Sequence, residues 1–432
     1  MKRYSIGLDL GTSSVKGVLF SDGGEILAKG TADFTYVKSY LPDGGEYLGI
    51  EPERFYSTVC GVLLELARAL PSGGELCGLA MASASGNSIL CDGDGVALIN
   101  GYSWLNRPFK EEVCEVFGEG FGPDVKARAG WGISYSFPLG QLSHLKLHAP
   151  ELLDAADKVC MTTEYLLHRL TGKWGIDVST ATPFYFLDQK RRCWSSDYLG
   201  ALGISETKLP PLMESGDLLG EITAAASADC GLPVGTKVFV GSFDHPTAAR
   251  ACGVEREGDL LISCGTSWVC FFPMNDRDAI VSNPYFLCDP FLTPCGPWGA
   301  MTSLARASEK IKAVVEKYIS SSSDKFSVLD ECVASASEDA EGLVFNPLSE
   351  IPDLSGYSRE SIAKALMVGV ATALKARIGD TVKVNRVFMC GGPSTSPMWQ
   401  KILSEIFEAP VTVTYGPHSG AVGAAMYALN NA

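Results

Sequence analysis

An α/β protein of two domains is what the sequence predicts, on three observations. The chain has 432 residues, more than one compact core usually organises, so two domains are the default. Its 46 glycines and 23 prolines are spread along the chain, as suits many strand–turn–helix connections. One local pattern, Gly-Thr-Ser between two β-like runs, occurs at Gly11-Thr12-Ser13 and again at Gly265-Thr266-Ser267, about 250 residues later, which reads as a structural duplication with one copy per domain.

The elements follow in order. Tyr4–Leu10 is β-like, Gly11–Ser14 is a polar turn, Val15–Phe20 is β-like, Ser21–Gly24 is a second turn and Glu25–Gly30 a third strand. This antiparallel meander differs from a dinucleotide-binding unit, where a helix follows the first glycine-rich turn. Phe55, Val59, Val62, Leu63, Leu66 and Ala67 recur at helical spacing and predict a helix over Pro52–Leu70. Glu75–Met81 reads as a buried strand, and Pro150–Val159 and Thr163–Leu170 as short helices. Lys237–Gly241 is a strand ending at Ser242-Phe243-Asp244, with a helix expected over Pro246–Cys252. The second half repeats the theme with strands at Asp259–Cys264 and Trp268–Phe272. A serine loop at Ser320–Ser323 and a helix at Arg359–Arg377 follow. Then come a strand at Arg386–Cys390, a turn at Gly391-Gly392-Pro393-Ser394, a helix at Pro397–Phe407, a strand at Val411–Thr414 and a small-residue helix at Gly420–Leu429.

Composition removes several function classes. Hydrophobic residues make up 46% and charged residues 20%, a globular balance. A net charge of −15 repels nucleic-acid phosphate, so no DNA or RNA partner is expected. Small anions stay admissible, because backbone N–H groups and a metal ion bind them locally. Fourteen cysteines stand singly, with no C-x-x-C pair. A zinc ribbon is therefore not expected, and a reducing cytoplasm is. No secretory signal is read at the N-terminus, and no run approaches the ~20 apolar residues of a membrane span.

Four motifs carry chemistry. In Asp9-Leu-Gly-Thr-Ser-Ser-Val-Lys16, the turn offers N–H groups and hydroxyls to a phosphate with no bulky side chain in the way. Asp9 at the strand end suits magnesium, which prefers oxygen ligands and bridges phosphates. The bland alternative is an ordinary hairpin. Its counterpart at Gly265-Thr266-Ser267 favours the phosphate reading, because paired turns in duplicated halves point to one ligand. Gly391-Gly392-Pro393-Ser394 lets the backbone approach a flat base such as adenine, but alone it is better explained as a common strand-to-helix turn. Gly241-Ser242-Phe243-Asp244-His245 puts a carboxylate at a strand C-terminus, where open α/β sheets carry their sites. Phosphoryl transfer needs a proton acceptor, and Asp244 suits that role; it equally suits a helix cap. His245 reads as a structural hydrogen-bonder.

Together these residues resemble the FGGY carbohydrate kinases, the xylulokinase, gluconate kinase and glycerol kinase group of the actin-like ATPase fold. The resemblance runs over almost the whole chain and is strongest at Ile6–Lys16, Lys237–Gly253, Leu260–Ser267 and Val387–Pro410, with Gly420–Ala425 closing it. It implies two RNase H-like domains with an interdomain cleft, residues 1–245 on the sugar side and 246–432 on the nucleotide side. It implies ATP and Mg2+, with Asp244 as catalytic base and Asp9 serving the metal. Gly11, Thr12, Ser13 and Lys16 then lie at the phosphates, with Gly265 and Thr266 from the second domain. Gly391, Gly392, Ser394 and Gln400 line the adenine side. Trp104, Asn106 and Arg107 are the candidates for orienting the sugar, an indole face matching sugar carbons and Asn and Arg its hydroxyls. A packed loop explains those three equally well.

The chain also departs from the family. Small residues occupy Met81–Asn87 where polar sugar contacts are usual. Asn106 stands where Asp is usual, and Asn346–Pro352 lacks the usual arginine. Asp177, in Asp177–Thr182, reads as structural or near the substrate. The expected reaction is ATP-dependent phosphorylation of a hydroxyl of a sugar, polyol or sugar acid. Its partner is a small sugar-like molecule, without nucleic acid or membrane, and a homodimer is left open. The alternatives are a non-catalytic sugar- or nucleotide-binding regulator on the same fold and an actin-like ATPase.

Overall fold

The structure is a computed structural model describing residues 2–119, 121–122 and 124–432; of residue 381 only the backbone is described. Two compact units divide the chain: Met1–Thr247 with Gly420–Ala432, and Ala248–Ser419.

The first unit is built on a six-stranded sheet. Its order is Leu218–Glu221, Lys237–Phe239, Glu75–Ser83, Arg3–Leu10, Ser14–Ser21, Ile26–Asp33. The last three form the antiparallel meander that the opening residues predict, with Asp9 paired to Lys16. Arg3–Leu10 runs parallel to Glu75–Ser83, which runs parallel to Lys237–Phe239. Ile6, Leu8, Leu79 and Val238 are fully buried, and so are Val59 and Leu63 of the helix Pro52–Arg68. They share one apolar core, whose burial is the main stabilising term.

The second unit repeats the plan. Its sheet order is Leu287–Asp289, Trp298–Leu304, Trp268–Met274, Asp259–Cys264, Arg386–Gly391, Val411–Thr412. Asp259–Cys264 is antiparallel to Trp268–Met274 and parallel to Arg386–Gly391. The relation of Arg3–Leu10 to its two neighbours is thus reproduced strand for strand, and the Gly-Thr-Ser turns occupy equivalent hairpins. The helices Arg359–Ile378 and Pro397–Phe407 share that unit's core through Leu366, Val370, Leu374 and Leu403.

Most predicted elements stand where expected, with instructive differences at their ends. The helix expected over Pro150–Val159 stops at Ala155, because Lys158–Cys160 pairs with Ile89–Cys91 as a strand. The helix expected from Pro246 begins two residues earlier, at Asp244. The strand expected over Val411–Thr414 is confined to Val411–Thr412.

One ion pair ties the base of the second sheet. Arg386 grips Asp259 with two hydrogen bonds of 2.8 Å, and the carboxylate also accepts from the Glu255 and Arg256 amides. Burial pushes the Asp259 pKa up, but Arg386 and the two amides outweigh it and hold the carboxyl below its usual range. A depressed carboxylate pKa contributes stability that is present above the ordinary value, near ~4, and is lost as pH falls through the folded value. Arg386→Met is therefore expected to lower stability by about 1–3 kcal/mol at pH 7 by leaving a buried acceptor unmatched. Urea denaturation should show the gap to wild type shrinking at pH 3.

Candidate active site

Two aspartates meet at one end of the first sheet because of strand register. Asp9 sits beside Ala82, and the next residue along that strand, Ser83, bridges to Phe243 on the far side. Asp244 follows directly, as the first residue of the helix Asp244–Cys252. Three parallel chain segments thus deliver both carboxylates to their C-terminal ends. That is where such sheets place ligands.

The environment disfavours charge on both. Burial, then the charge of Asp244, pushes the Asp9 pKa up to about 7, against a smaller opposing pull from Lys16. Burial also raises Asp244, countered by His245 and its N–H, which donates to Asp244 Oδ1 at 2.8 Å. The His245 ring nitrogen stays 3.8 Å away. Aromatic rings wall the spot: Phe243 lies between Trp131 and His245, with centroids 5.4 and 5.6 Å apart. Two carboxylates in such surroundings repel each other unless a cation or a proton intervenes.

Gly420 lets a helix end reach this pair. It opens the run of the helix Ser419–Asn431, and a Cβ there would lie 2.5 Å from Asp9 Oδ2. Any side chain would displace the carboxylate.

The Gly11–Ser14 turn stands next to Asp9. Its Gly11 N–H donates to the Ser14 carbonyl, Ser13 and Leu10 carbonyls accept from Phe34 and Ala84, and the Tyr36 hydroxyl donates to the Thr12 carbonyl. The Thr12 and Ser13 N–H groups donate to no acceptor among the described residues. Carbonyls are fixed and two amides are left over, which is what an anion cradle requires. Beside the turn is a cavity of about 10 Å³ lined by Thr12, Tyr36, Ser83, Asn87, Trp104 and Thr162, among others, close to the space one water needs.

The sugar-side candidates separate here. Trp104 lines that cavity, and its backbone N–H donates to Asn87 Oδ1 while Asn87 Nδ2 donates to Thr162. The amide of Asn106 is engaged by backbone: it accepts from Leu48 N–H and donates to the Leu48 and Ser103 carbonyls. Arg107 donates to Glu112 and to the Pro108 carbonyl. Asp177 caps its own short helix through the Ser179 and Thr180 amides and accepts from Ser215, a structural arrangement. Thr162 and Tyr36 carried no motif in the sequence; only tertiary folding brings them beside Thr12.

In the second unit, the Gly265–Ser267 turn follows the strand that neighbours Gly391, Cys264 facing Gly391 in register. Gly391 adopts φ +91°, and a Cβ there would lie 2.3 Å from the Cys264 carbonyl, so only glycine fits. The Thr266 and Ser267 N–H groups have no acceptor among the described residues. Ser308 holds the turn by donating to Gly265 O and through its N–H to Thr266 O. Gly392 faces open space, whereas Ser394 is buried and donates to Gly391 O. Gln400 donates to Ser394 O. Ser394 and Gln400 therefore brace the turn from within.

A pH signature follows from the carboxylate pair. A folded-state pKa raised to about 7 means that the ligand-free protein loses stability as pH rises from the unfolded carboxylate value, ~4, through 7. Asp9→Asn removes that loss. The melting temperature of the metal-free variant is expected to exceed wild type most at pH 8, by less at pH 5, and to converge with it only below ~pH 4.

Comparison with known proteins places this geometry in context. Residues 4–251 match the pattern described as "FGGY family of carbohydrate kinases, N-terminal domain", and residues 260–432 match its C-terminal domain. The chain is 25% identical to the xylulose kinase of Bacillus subtilis over 451 aligned residues, covering 99% of this chain and 88% of that one. It is 24% identical to the autoinducer-2 kinase of Yersinia enterocolitica, covering 98% and 85%. Its fold superposes on the crystal structure of xylulose kinase from Rhodospirillum rubrum with a TM-score of 0.83 at 24% identity, covering 99% and 90%.

Proposed function

The chain belongs to the FGGY family of carbohydrate kinases, and from that premise we propose a role for each group in its site. The reaction is ATP-dependent phosphorylation of a sugar-type hydroxyl. Asp244 accepts the proton of the attacking hydroxyl. Its raised pKa makes it a stronger base than an ordinary carboxylate once deprotonated. The Thr12 and Ser13 amides, with Lys16, hold phosphate oxygens, and the Gly265–Thr266 turn takes nucleotide phosphate in the second unit. Gly391 and Gly392 give a nucleobase close access to backbone, with Ser394 and Gln400 supporting that turn.

The observation that carries this reading is the Asp9–Asp244 pair beside a turn with unmatched amides. The donor set fits magnesium: oxygen ligands only, with a second negative charge close by. Asp9 would hold the ion, which when bound offsets phosphate charge. Trp104 and Asn87 are the side chains best placed to meet a sugar, whose entry widens the small cavity they line. Asn106 acts on the loop rather than on the substrate. The acceptor class is a ketose, polyol or sugar acid, as the family's range and the xylulose kinase relative support. We place the chain in the cytoplasm, where ATP is supplied and its cysteines, all free, stay reduced. No helix among the described residues is long and apolar enough to cross a membrane.

Two measurements test these roles. In an ADP-release screen over ketoses, polyols and aldonates, at least one acceptor should stimulate turnover. Asp244→Asn should lower its kcat about 10²–10⁴-fold with little change in the KM for ATP; unchanged kcat removes Asp244 from the base role. Trp104→Ala should raise the acceptor's KM about tenfold, the loss of ~1.4 kcal/mol of contact, while sparing the KM for ATP.

A further inference from the structure

A second polar centre lies in the first unit, among residues with no role assigned above. The helix Pro138–His148 carries His144 and His148 four residues apart, on one face. Glu112, on the helix Lys110–Phe117, faces them: one carboxylate oxygen and one nitrogen from each ring lie within 4.8 Å of one another. Asp43, in the turn between Tyr36–Tyr40 and Glu46–Ile50, approaches from a third side, its Oδ2 3.6 Å from His148 Nδ1.

An ordinary ion-pair network accounts for part of this. Glu112 Oε1 takes both Arg107, at 2.5 Å, and His144 Nδ1, at 3.2 Å. It leaves two polar atoms unexplained. Glu112 is only 6% exposed, yet its second oxygen, Oε2, has no hydrogen-bond partner among the described residues. The Tyr102 hydroxyl, on a residue 1% exposed whose ring stands edge-on to His144 at 6.0 Å, also has none. A buried carboxylate oxygen without a donor is destabilising, so the arrangement calls for a ligand.

We propose that Glu112, His144 and His148, with Asp43 as fourth ligand, form a site for one divalent transition-metal cation of the zinc class. Two imidazoles and two carboxylates are a borderline-soft donor set that suits zinc and disfavours magnesium, which wants oxygen alone. In a tetrahedral zinc site neighbouring ligand atoms are roughly 3.3 Å apart. The three-residue cluster therefore needs a contraction of up to about 1.5 Å, and Asp43 a further approach, which the exposed side chains of His148 and Asp43 can supply by rotation. Arg107 remains on Oε1, leaving Oε2 for the ion. Its guanidinium is 59% exposed, so solvent screens its repulsion. The bound cation would pin the 41–45 turn and two helices together and, through Glu112 and Arg107, the end of the loop that begins at Trp104.

The test uses the full chain, stripped with chelator and free of nucleotide. Titration calorimetry and elemental analysis should show one zinc per chain, magnesium failing to compete at a hundredfold excess, and a rise in melting temperature on zinc addition. His148→Ala, at a half-exposed position the fold does not need, should weaken zinc binding at least tenfold and cancel the thermal shift; circular dichroism checks its folding, and Asp43→Asn serves as a second surface variant with a smaller loss. Absence of one-to-one binding overturns the site. So does zinc affinity that His148→Ala leaves within tenfold of wild type, which would put the ion elsewhere, as on the exposed Cys193 and Cys295.

Discussion

Two half-buried carboxylates held side by side are the constraint around which the first unit is arranged. Asp9 and Asp244 come from residues more than half the chain apart, and three adjacent parallel segments fix them at one sheet end. Among the described residues, Asp244 accepts the His245 N–H. The strain is visible in Asp9, raised to about 7 by burial and by its neighbour. Proteins retain such destabilising arrangements where a ligand relieves them. The pair, the Thr12 and Ser13 amides and the close approach of Gly420 all converge at this one end of the first sheet.

The second unit shows what is left when the carboxylates are taken away. Its sheet repeats the meander and the parallel neighbour, and its Gly265–Ser267 turn has the same unmatched amides. Where Asp9 ends the first strand, Ser263 and Cys264 end the second. The two halves therefore share the turn and differ at the strand end: the turn depends on backbone, which any compatible sequence preserves, whereas a carboxylate depends on a single side chain. FGGY membership accounts for both halves together.

Much of this was legible in the sequence, and the reasons are local. Alternating apolar residues in Tyr4–Leu10, helical spacing in Pro52–Leu70 and the glycine turns are short-range signals, and each gave an element close to its true bounds. The repeated Gly-Thr-Ser gave the duplication, and the strand before Asp244 its place at a sheet end. What stayed hidden depends on tertiary contact. Among the described residues the short strands Tyr36–Tyr40 and Glu46–Ile50 pair with each other and with Gly101–Tyr102, apart from the main sheet. Residues 420–432 group with the first unit, a return that no local pattern carries. Asn106 matched a motif position, yet its amide closes a loop on Leu48, and Glu112 stands 32 residues before His144, too far to join the His144–His148 spacing into a motif.

The account rests on Asp244 receiving the proton of the acceptor hydroxyl. A crystal structure with a non-hydrolysable ATP analogue, magnesium and the best acceptor from the screen tests that most directly. It should place the acceptor hydroxyl within about 2.6–3.2 Å of an Asp244 oxygen, with the ion on Asp9 directly or through one water. A hydroxyl held by other groups, with Asp244 still bonded only to the His245 amide, would contradict it.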